Sequence, residues 1–304
     1  MCNIKQEQKG SLGSSNMQIG EQNNYYGLTP QKASEIAIKL FMDNFPEMME
    51  ECKTVAKERA TECAEKTIQK YVQKNGPNCE NFKDVDVMYT FWEAQKSYAR
   101  SGDIGLLDML STLVANRAEN IENSLYNITL NQAVLIVSKL TPLQINTLTF
   151  IHFINKNLNG IPFDKKYIQI WLNRILRDFS DLRKLSGIDI SYLNSIGCAQ
   201  SNILWLDLDV YLAKKFKDII EWNINFDERF SYNRNYNITL KDNPSTTATE
   251  FFCNLCPELK NAFSAYNHYL RTLILTPVSI VIAEINFTNK TGMPVNTLSL
   301  FLKD

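Results

Sequence analysis

Two thiols three positions apart, in Cys253-Asn254-Leu255-Cys256, form the one compact set of ligand or redox side chains in this sequence. Such a pair can place two thiolates on a zinc ion or close a redox couple, but it supplies only half of a four-ligand structural site. Cys198 and His268 could complete the set if the fold brought them together; no spacing rule does so. Buried helix thiols are the simpler reading, and no metal is assigned. Asp207 and Asp209 are a second pair. Paired carboxylates assist metal or acid–base chemistry in a cleft, yet acids also suit the start of the helix expected over residues 204–220. Of the two histidines, His152 lies in Phe150-Ile151-His152-Phe153-Ile154 and reads as a packing residue, whereas His268, among Tyr266, Tyr269 and Arg271, has the more permissive setting. Gly102 and Gly105 are too isolated for a phosphate loop or a dinucleotide fingerprint, and neither a Ser nucleophile elbow nor a Cys–His motif is visible. The sequence assigns no catalytic residue and no cofactor.

Charge excludes less than it suggests. The 32 basic and 33 acidic residues leave a net charge of −1, so nothing in the total favours a nucleic acid or an anionic membrane. Arg174, Arg177, Arg183 and Lys184 make a local basic set tempered by Asp178 and Asp181. The odd count of seven cysteines and the absence of a basic-then-apolar leader give a reducing, cytoplasmic expectation. No apolar run is long enough to span a bilayer, although action on a membrane after assembly stays open.

The elements that would position these residues are helical. Residues 129–156 carry Val134, Ile136, Val137, Leu140, Leu143, Leu148, Ile151 and Ile154 at helical spacing, with Thr141 and Pro142 as N-cap and N1 between two helices. That hairpin is the expected centre of the body. Thr29 and Pro30 open an earlier helix with Ile38, Phe41, Phe45, Met48, Cys52 and Val55 on one face; Pro46 implies a kink or two abutting helices, and Asn75-Gly76-Pro77-Asn78 a stop. Helices are also expected over 84–99, with Trp92 in the core, and over 104–120, 165–185, 190–196 and 251–268. Residues 231–250 read as loop or irregular hairpin, 271–287 as a strand or strand–helix junction, and 296–300 as a second short strand. The fold class is mainly α: a multi-helix body with a small winged-helix-like α/β portion and a disordered N-terminal leader. Three regions follow, at 1–27, 28–120 and 121–304.

The leader carries the sharpest functional signal. Residues 1–26 are polar and rich in Gly, Ser, Asn and Gln, so no packed element is expected there in the monomer. Within them Met17 and Ile19 alternate on one strand face, Gln18 lies opposite, Gly20 permits a turn, and Asn23, Asn24, Tyr25 and Tyr26 follow. Asn ladders and stacked tyrosines suit an in-register sheet built from many chains.

Met17-Gln18-Ile19-Gly20 with Asn23, Asn24 and Tyr25 resembles the homotypic interaction motif of necroptosis signalling proteins and the related bacterial amyloid signalling motifs of defence proteins. The resemblance covers residues 16–27 and implies fibril assembly, homotypic or templated by a protein partner with a matching N- or C-terminal motif. More weakly, Leu140-Thr141-Pro142-Leu143, Tyr192-Leu193-Asn194-Ser195-Ile196-Gly197 and Leu275-Thr276-Pro277-Val278 resemble the skeleton of alpha-type bacterial abortive-infection proteins over residues 100–290. That implies phage defence through cell death or growth arrest and carries over no catalytic residue. The function expected is thus an antiphage effector or adaptor triggered through its N-terminal segment, with self-association and a membrane target among its outputs. The alternatives are an enzyme acting on nucleic acid or nucleotide through an unrecognised site, or a non-catalytic binding scaffold.

Overall fold

A computed structural model of the protein describes residues 30–119, 121–122, 124–155, 168–170, 172–173, 182–202, 207–223 and 238–292. The chain divides into two compact units, Met1–Thr54 and Val55–Asp304. Helix α1 runs Pro30–Asn75. One helix carries the chain through Pro46, where the sequence admitted either a kink or two abutting helices; a proline there removes a single backbone hydrogen bond, which so long a helix tolerates.

In the second unit α1 buries Cys63, Thr67 and Tyr71. It stops at Gly76, whose φ of 79° only glycine adopts cheaply. A short 3-10 turn at Glu80–Lys83 then inserts Phe82 edge-on to Tyr71 and Phe91, with ring centroids at 5.0 and 5.7 Å.

Several of the following helices begin on a side chain that satisfies an otherwise orphaned N–H group. Asp84 caps α2 (Val85–Ser101), accepting from Asp86 and Val87 N–H. Asp103 caps α3 (Ile104–Arg117) and Ser124 caps α4 (Leu125–Val137). Thr141 and Gln144 cap α5 (Pro142–Asn155) reciprocally: Gln144 N–H donates to Thr141 Oγ1 at 3.3 Å, and Thr141 N–H to Gln144 Oε1 at 3.0 Å. Ser186 and Asp189 repeat the device at α6 (Gly187–Ser195). Gln144 Nε2 also donates to Asp189 at 3.1 Å, tying the two helix starts together. Between α2 and α3, Gly102 turns left-handed at φ 64°, and an added Cβ would lie 2.5 Å from the guanidinium carbon of Arg59.

The core lies among α3, α4, α5 and the last described helix, α10 (Pro277–Thr291), which packs most extensively on α5 and then on α4. Leu110, Leu113, Leu130, Val134, Leu148, Ile151, Ile154 and Ile282 are fully buried, and Phe153 stacks on Phe287 at 4.0 Å. The hairpin expected over 129–156 therefore does sit at the centre, and its first helix starts earlier than expected, at Leu125.

Two small two-stranded antiparallel sheets complete the described fold. In one, β1 (Ala199–Ser201) pairs with β4 (Leu273–Leu275), Ala199 opposite Leu275 and Ser201 opposite Leu273. In the other, β2 (Trp222–Asn223) pairs with β3 (Thr239–Leu240). Residues 271–287 thus form a strand–helix junction: β4 ends at Leu275, and Pro277 occupies the first turn of α10. Helices α7 (Leu208–Lys215), α8 (Ala248–Leu255) and α9 (Leu259–Ala265) also belong to this part of the chain, α7 packing on α8 and α8 on α9. The single helix expected over 251–268 is broken at Cys256-Pro257, because Pro257 disfavours helical backbone at the residue before it. A π-helical turn at Tyr266–Leu270 follows α9 directly. Among the described residues no helix is long and apolar enough to cross a membrane.

Trp92 departs from expectation. The inner face of α2 is Val87, Thr90, Phe91, Ala94 and Tyr98, whereas Trp92 lies on the opposite face, exposed. The helix carries two apolar stripes, and only one of them meets the core.

Candidate functional site

The assembly residues Met17, Gln18, Ile19, Gly20, Asn23, Asn24 and Tyr25 lie outside the described residues, as do Arg174, Arg177 and the strand expected at 296–300. What the structure positions is the set of groups that could do chemistry in the helical body.

The thiol pair is split between two environments. Cys253 lies within α8, while Cys256 is its buried C-cap, its Sγ donating to Glu258 Oε2 at 3.2 Å. Burial first, then the Glu258 carboxylate, pushes the Cys256 thiol up to about 12, and burial also raises Cys253 and Cys198. The thiolate, not the thiol, is the nucleophile, so a raised value works against nucleophilic chemistry at neutral pH. Among the described residues, no group of three or more His, Cys, Asp or Glu could hold a metal ion. Because the two thiols face different environments, protein purified without chelator is expected to carry no stoichiometric zinc, and Cys253→Ser to leave its melting temperature within a few degrees of wild type; metal analysis beside a thermal scan checks both.

These buried acids also set an alkaline limit. Burial pushes Cys63 up to about 11, so both Cys63 and Cys256 stay protonated when folded at pH values where an unfolded thiol has ionised. Acids raised in the folded state contribute stability that is complete below the unfolded value of about 8.5 and is lost as pH rises toward the folded one. Each thiol is expected to cost roughly 2 kcal/mol between pH 8 and pH 10.5. Urea titrations across that range should show the fall, and Cys256→Ala should remove its share of the slope.

Asp207 and Asp209 diverge instead of converging. Asp207 is the N-cap residue of α7 and takes Arg271 Nη1 at 2.6 Å, while Asp209 accepts from Thr249 Oγ1 at 3.2 Å. Both are engaged in joining α7 to the chain that follows it. His268 sits in the π turn with its ring edge-on to Tyr269 at 4.4 Å.

Nothing in the sequence reading anticipated Lys215. It ends α7, half-buried, and its Nζ donates to the carbonyl of Ile154 in the last turn of α5 at 2.6 Å. Burial pushes its ammonium down to about 7, against the pull of that helix C-terminus, which favours the charged form. The ring of Tyr211 lies 5.6 Å from Nζ. Buried Tyr266, in the π turn, is raised by burial and then by Tyr211 and Asp207, so these tyrosines and Asp207 share one electrostatic neighbourhood. A lysine near neutrality can serve as base or as amine nucleophile, and π turns recur at functional sites. In sequence Lys214-Lys215 reads only as a basic last turn, since Ile154 is far away along the chain.

A second buried cluster joins α5 to α10. His152 Nε2 approaches Glu284 Oε1 at 3.3 Å, close enough for an ion pair when the imidazole is protonated, though too poorly aligned for a hydrogen bond. Close by, Asn286 Nδ2 donates to Thr149 Oγ1 at 2.9 Å and to Asn146 Oδ1 at 3.2 Å, and Lys290 Nζ donates to Asn146 at 2.9 Å. Glu284 had one sequence signal, a lone acid in the apolar run Val281-Ile282-Ala283-Glu284-Ile285. Its surroundings fit a polar seam fixing the pairing of the two central helices.

The model of an uncharacterised family matches residues 27–302, nearly the whole chain, and the chain belongs to that family. No curated protein and no solved structure matches it.

Proposed function

We propose that this family member is an antiphage defence effector or adaptor, activated when residues 16–27 join a cross-β assembly, and that the helical body delivers cell death or growth arrest. The observation that carries the reading is the segment Met17-Gln18-Ile19-Gly20 with Asn23, Asn24 and Tyr25, set in a polar stretch of sequence ahead of the first described helix at Pro30. Apolar alternation, amide ladders and few charges are what a multichain sheet needs. The trigger is a protein partner bearing a matching motif, and the setting is cytoplasmic. The two small sheets beside α6–α10 are the part of the body we relate to the wing of alpha-type abortive-infection proteins. Cys256, Asp207 and Asp209 have structural partners, which favours proximity over catalysis as the output.

One observation favours an enzyme as the second reading, namely Lys215 near neutrality beside Tyr211. A single experiment separates the two. Deleting residues 1–26 should spare the helical circular dichroism of the body and abolish phage restriction or growth arrest in cells, whereas Lys215→Met should leave that activity in place. Activity that survives the deletion and disappears with Lys215→Met would replace the assembly reading with the enzymatic one.

A further inference from the structure

Among the described residues, the outer face of α2 carries an apolar stripe that none of them buries. Val85, Met88, Tyr89 and Trp92 follow one another at spacings of three, one and three residues, which puts them in one stripe along the helix. They are 83, 50, 58 and 51% exposed. Tyr89 and Trp92 already contact edge-to-face at 5.8 Å, so the stripe is a preformed aromatic surface with few rotamers left to freeze. On the neighbouring helix α4, which α2 meets through Thr90 Oγ1 donating to Asn131 Oδ1 at 2.8 Å, Ile128 and Leu135 are also exposed. Among the described residues, this second stripe of Val, Met, Tyr and Trp has no core to meet. Met, Tyr and Trp are residue types enriched where proteins meet.

Charge along the helix indicates what the stripe fits. Its N-terminal end carries Glu80, Asp84 and Asp86 and is net acidic even with Lys83, which Glu80 holds at 2.7 Å, and Arg117 counted in. On the side of the stripe its C-terminal end carries Lys96, paired with Glu93 at 2.7 Å, and Arg100; Arg59, Glu62 and Asp103 border that end from the inner side and beyond the helix. The ammonium of Lys96 lies 3.8 Å from the Trp92 ring centre, so the basic end borders the aromatic stripe directly. Two copies of such a helix match each other only in antiparallel array, acidic end to basic end, an arrangement that also opposes their helix dipoles favourably.

We propose that the outer face of α2 is a homodimer surface, on which the α2 helices of two copies pair antiparallel about a two-fold axis near Met88 and Tyr89. Trp92 of each copy then lies against Val85 of the other, and Lys96 approaches the acidic start of the opposite helix. The stripe is small beside a standard interface of about 800 Å² per partner, so the dimer is weak and forms when copies are brought close. The pairing stands whether or not the N-terminal leader assembles.

Sedimentation equilibrium of the full-length chain in an Ile19→Asp background, over about 1 to about 100 μM, tests it without contribution from the leader. A reversible monomer–dimer equilibrium is expected. Trp92→Lys should raise its dissociation constant at least about tenfold while the thermal unfolding curve stays in place. The paired reversal Lys96→Glu with Arg100→Glu should weaken the dimer as well, by setting acid against acid. In a parallel pair that change would only exchange one like-charge contact for another, so an unchanged dissociation constant would refute the antiparallel arrangement. A chain that stays monomeric throughout, or a dimer indifferent to Trp92→Lys, would overturn the proposal outright.

Discussion

Asp86→Ala is expected to destabilise the body by about 3 kcal/mol, more than Arg117→Met, although Asp86 is the more exposed member of the pair. Arg117 is 2% exposed, and its Nη2 lies 2.5 Å from Asp86 Oδ2 and 4.0 Å from Asp84 Oδ1. Its Nε donates to Asn131 Oδ1 at 3.0 Å, and Asn131 Nδ2 donates in turn to Asp86 Oδ2 at 2.7 Å. Removing the aspartate leaves a guanidinium in the interior without its nearest counter-charge, while the long stem of Met replaces Arg117 in volume and leaves Asp86 able to turn to water. The double variant should therefore recover most of the loss, and a double-mutant cycle from urea titrations measures that coupling. Hydrogen bonds from Arg117 and then Asn131 hold the Asp86 carboxyl below the usual carboxylate range. A depressed carboxylate contributes stability that is complete above its unfolded value of about 3.9 and fades as pH falls through the folded one. The wild-type advantage over Asp86→Ala should accordingly shrink in acid. A larger loss in Arg117→Met than in Asp86→Ala would contradict this view of the cluster.

What the sequence made legible was local. The cap and proline start at Thr141 and Pro142 and the stop at Gly76 depend on residues within a turn of one another. So does the apolar periodicity that put residues 129–156 at the centre. Trp92 was misplaced because α2 shows apolar residues on two faces, and periodicity reports that a stripe exists, not whether the fold or solvent meets it. The Arg117 cluster joins the end of α3 to the start of α2 and the middle of α4, and the neighbourhood of Lys215 depends on α7 reaching the end of α5. The pairing of β1 with β4 likewise links strands that no turn connects. No local spacing encodes such contacts. The same holds for Asp207 and Asp209, two residues apart in sequence, whose partners Arg271 and Thr249 come from different elements.

The largest effect should come from one atom group in the leader. In a cross-β stack an identical side chain recurs about every 4.8 Å, so Ile19→Asp would place a column of carboxylates in an interface that excludes water. Each added chain meets the same repulsion, and growth should stop altogether, while the helical body, whose described residues begin at Pro30, is untouched. The direct measurement is seeded growth of the full-length chain, followed by an amyloid dye and by circular dichroism of the soluble fraction, with preformed fibrils of a peptide of residues 1–26 as seeds. Wild type should convert from soluble helical protein into dye-binding fibrils, and Ile19→Asp should remain soluble under the same seeds. Fibril growth of Ile19→Asp at the wild-type rate would contradict the account, as would a wild-type chain that ignores every seed while still restricting phage or arresting growth in cells.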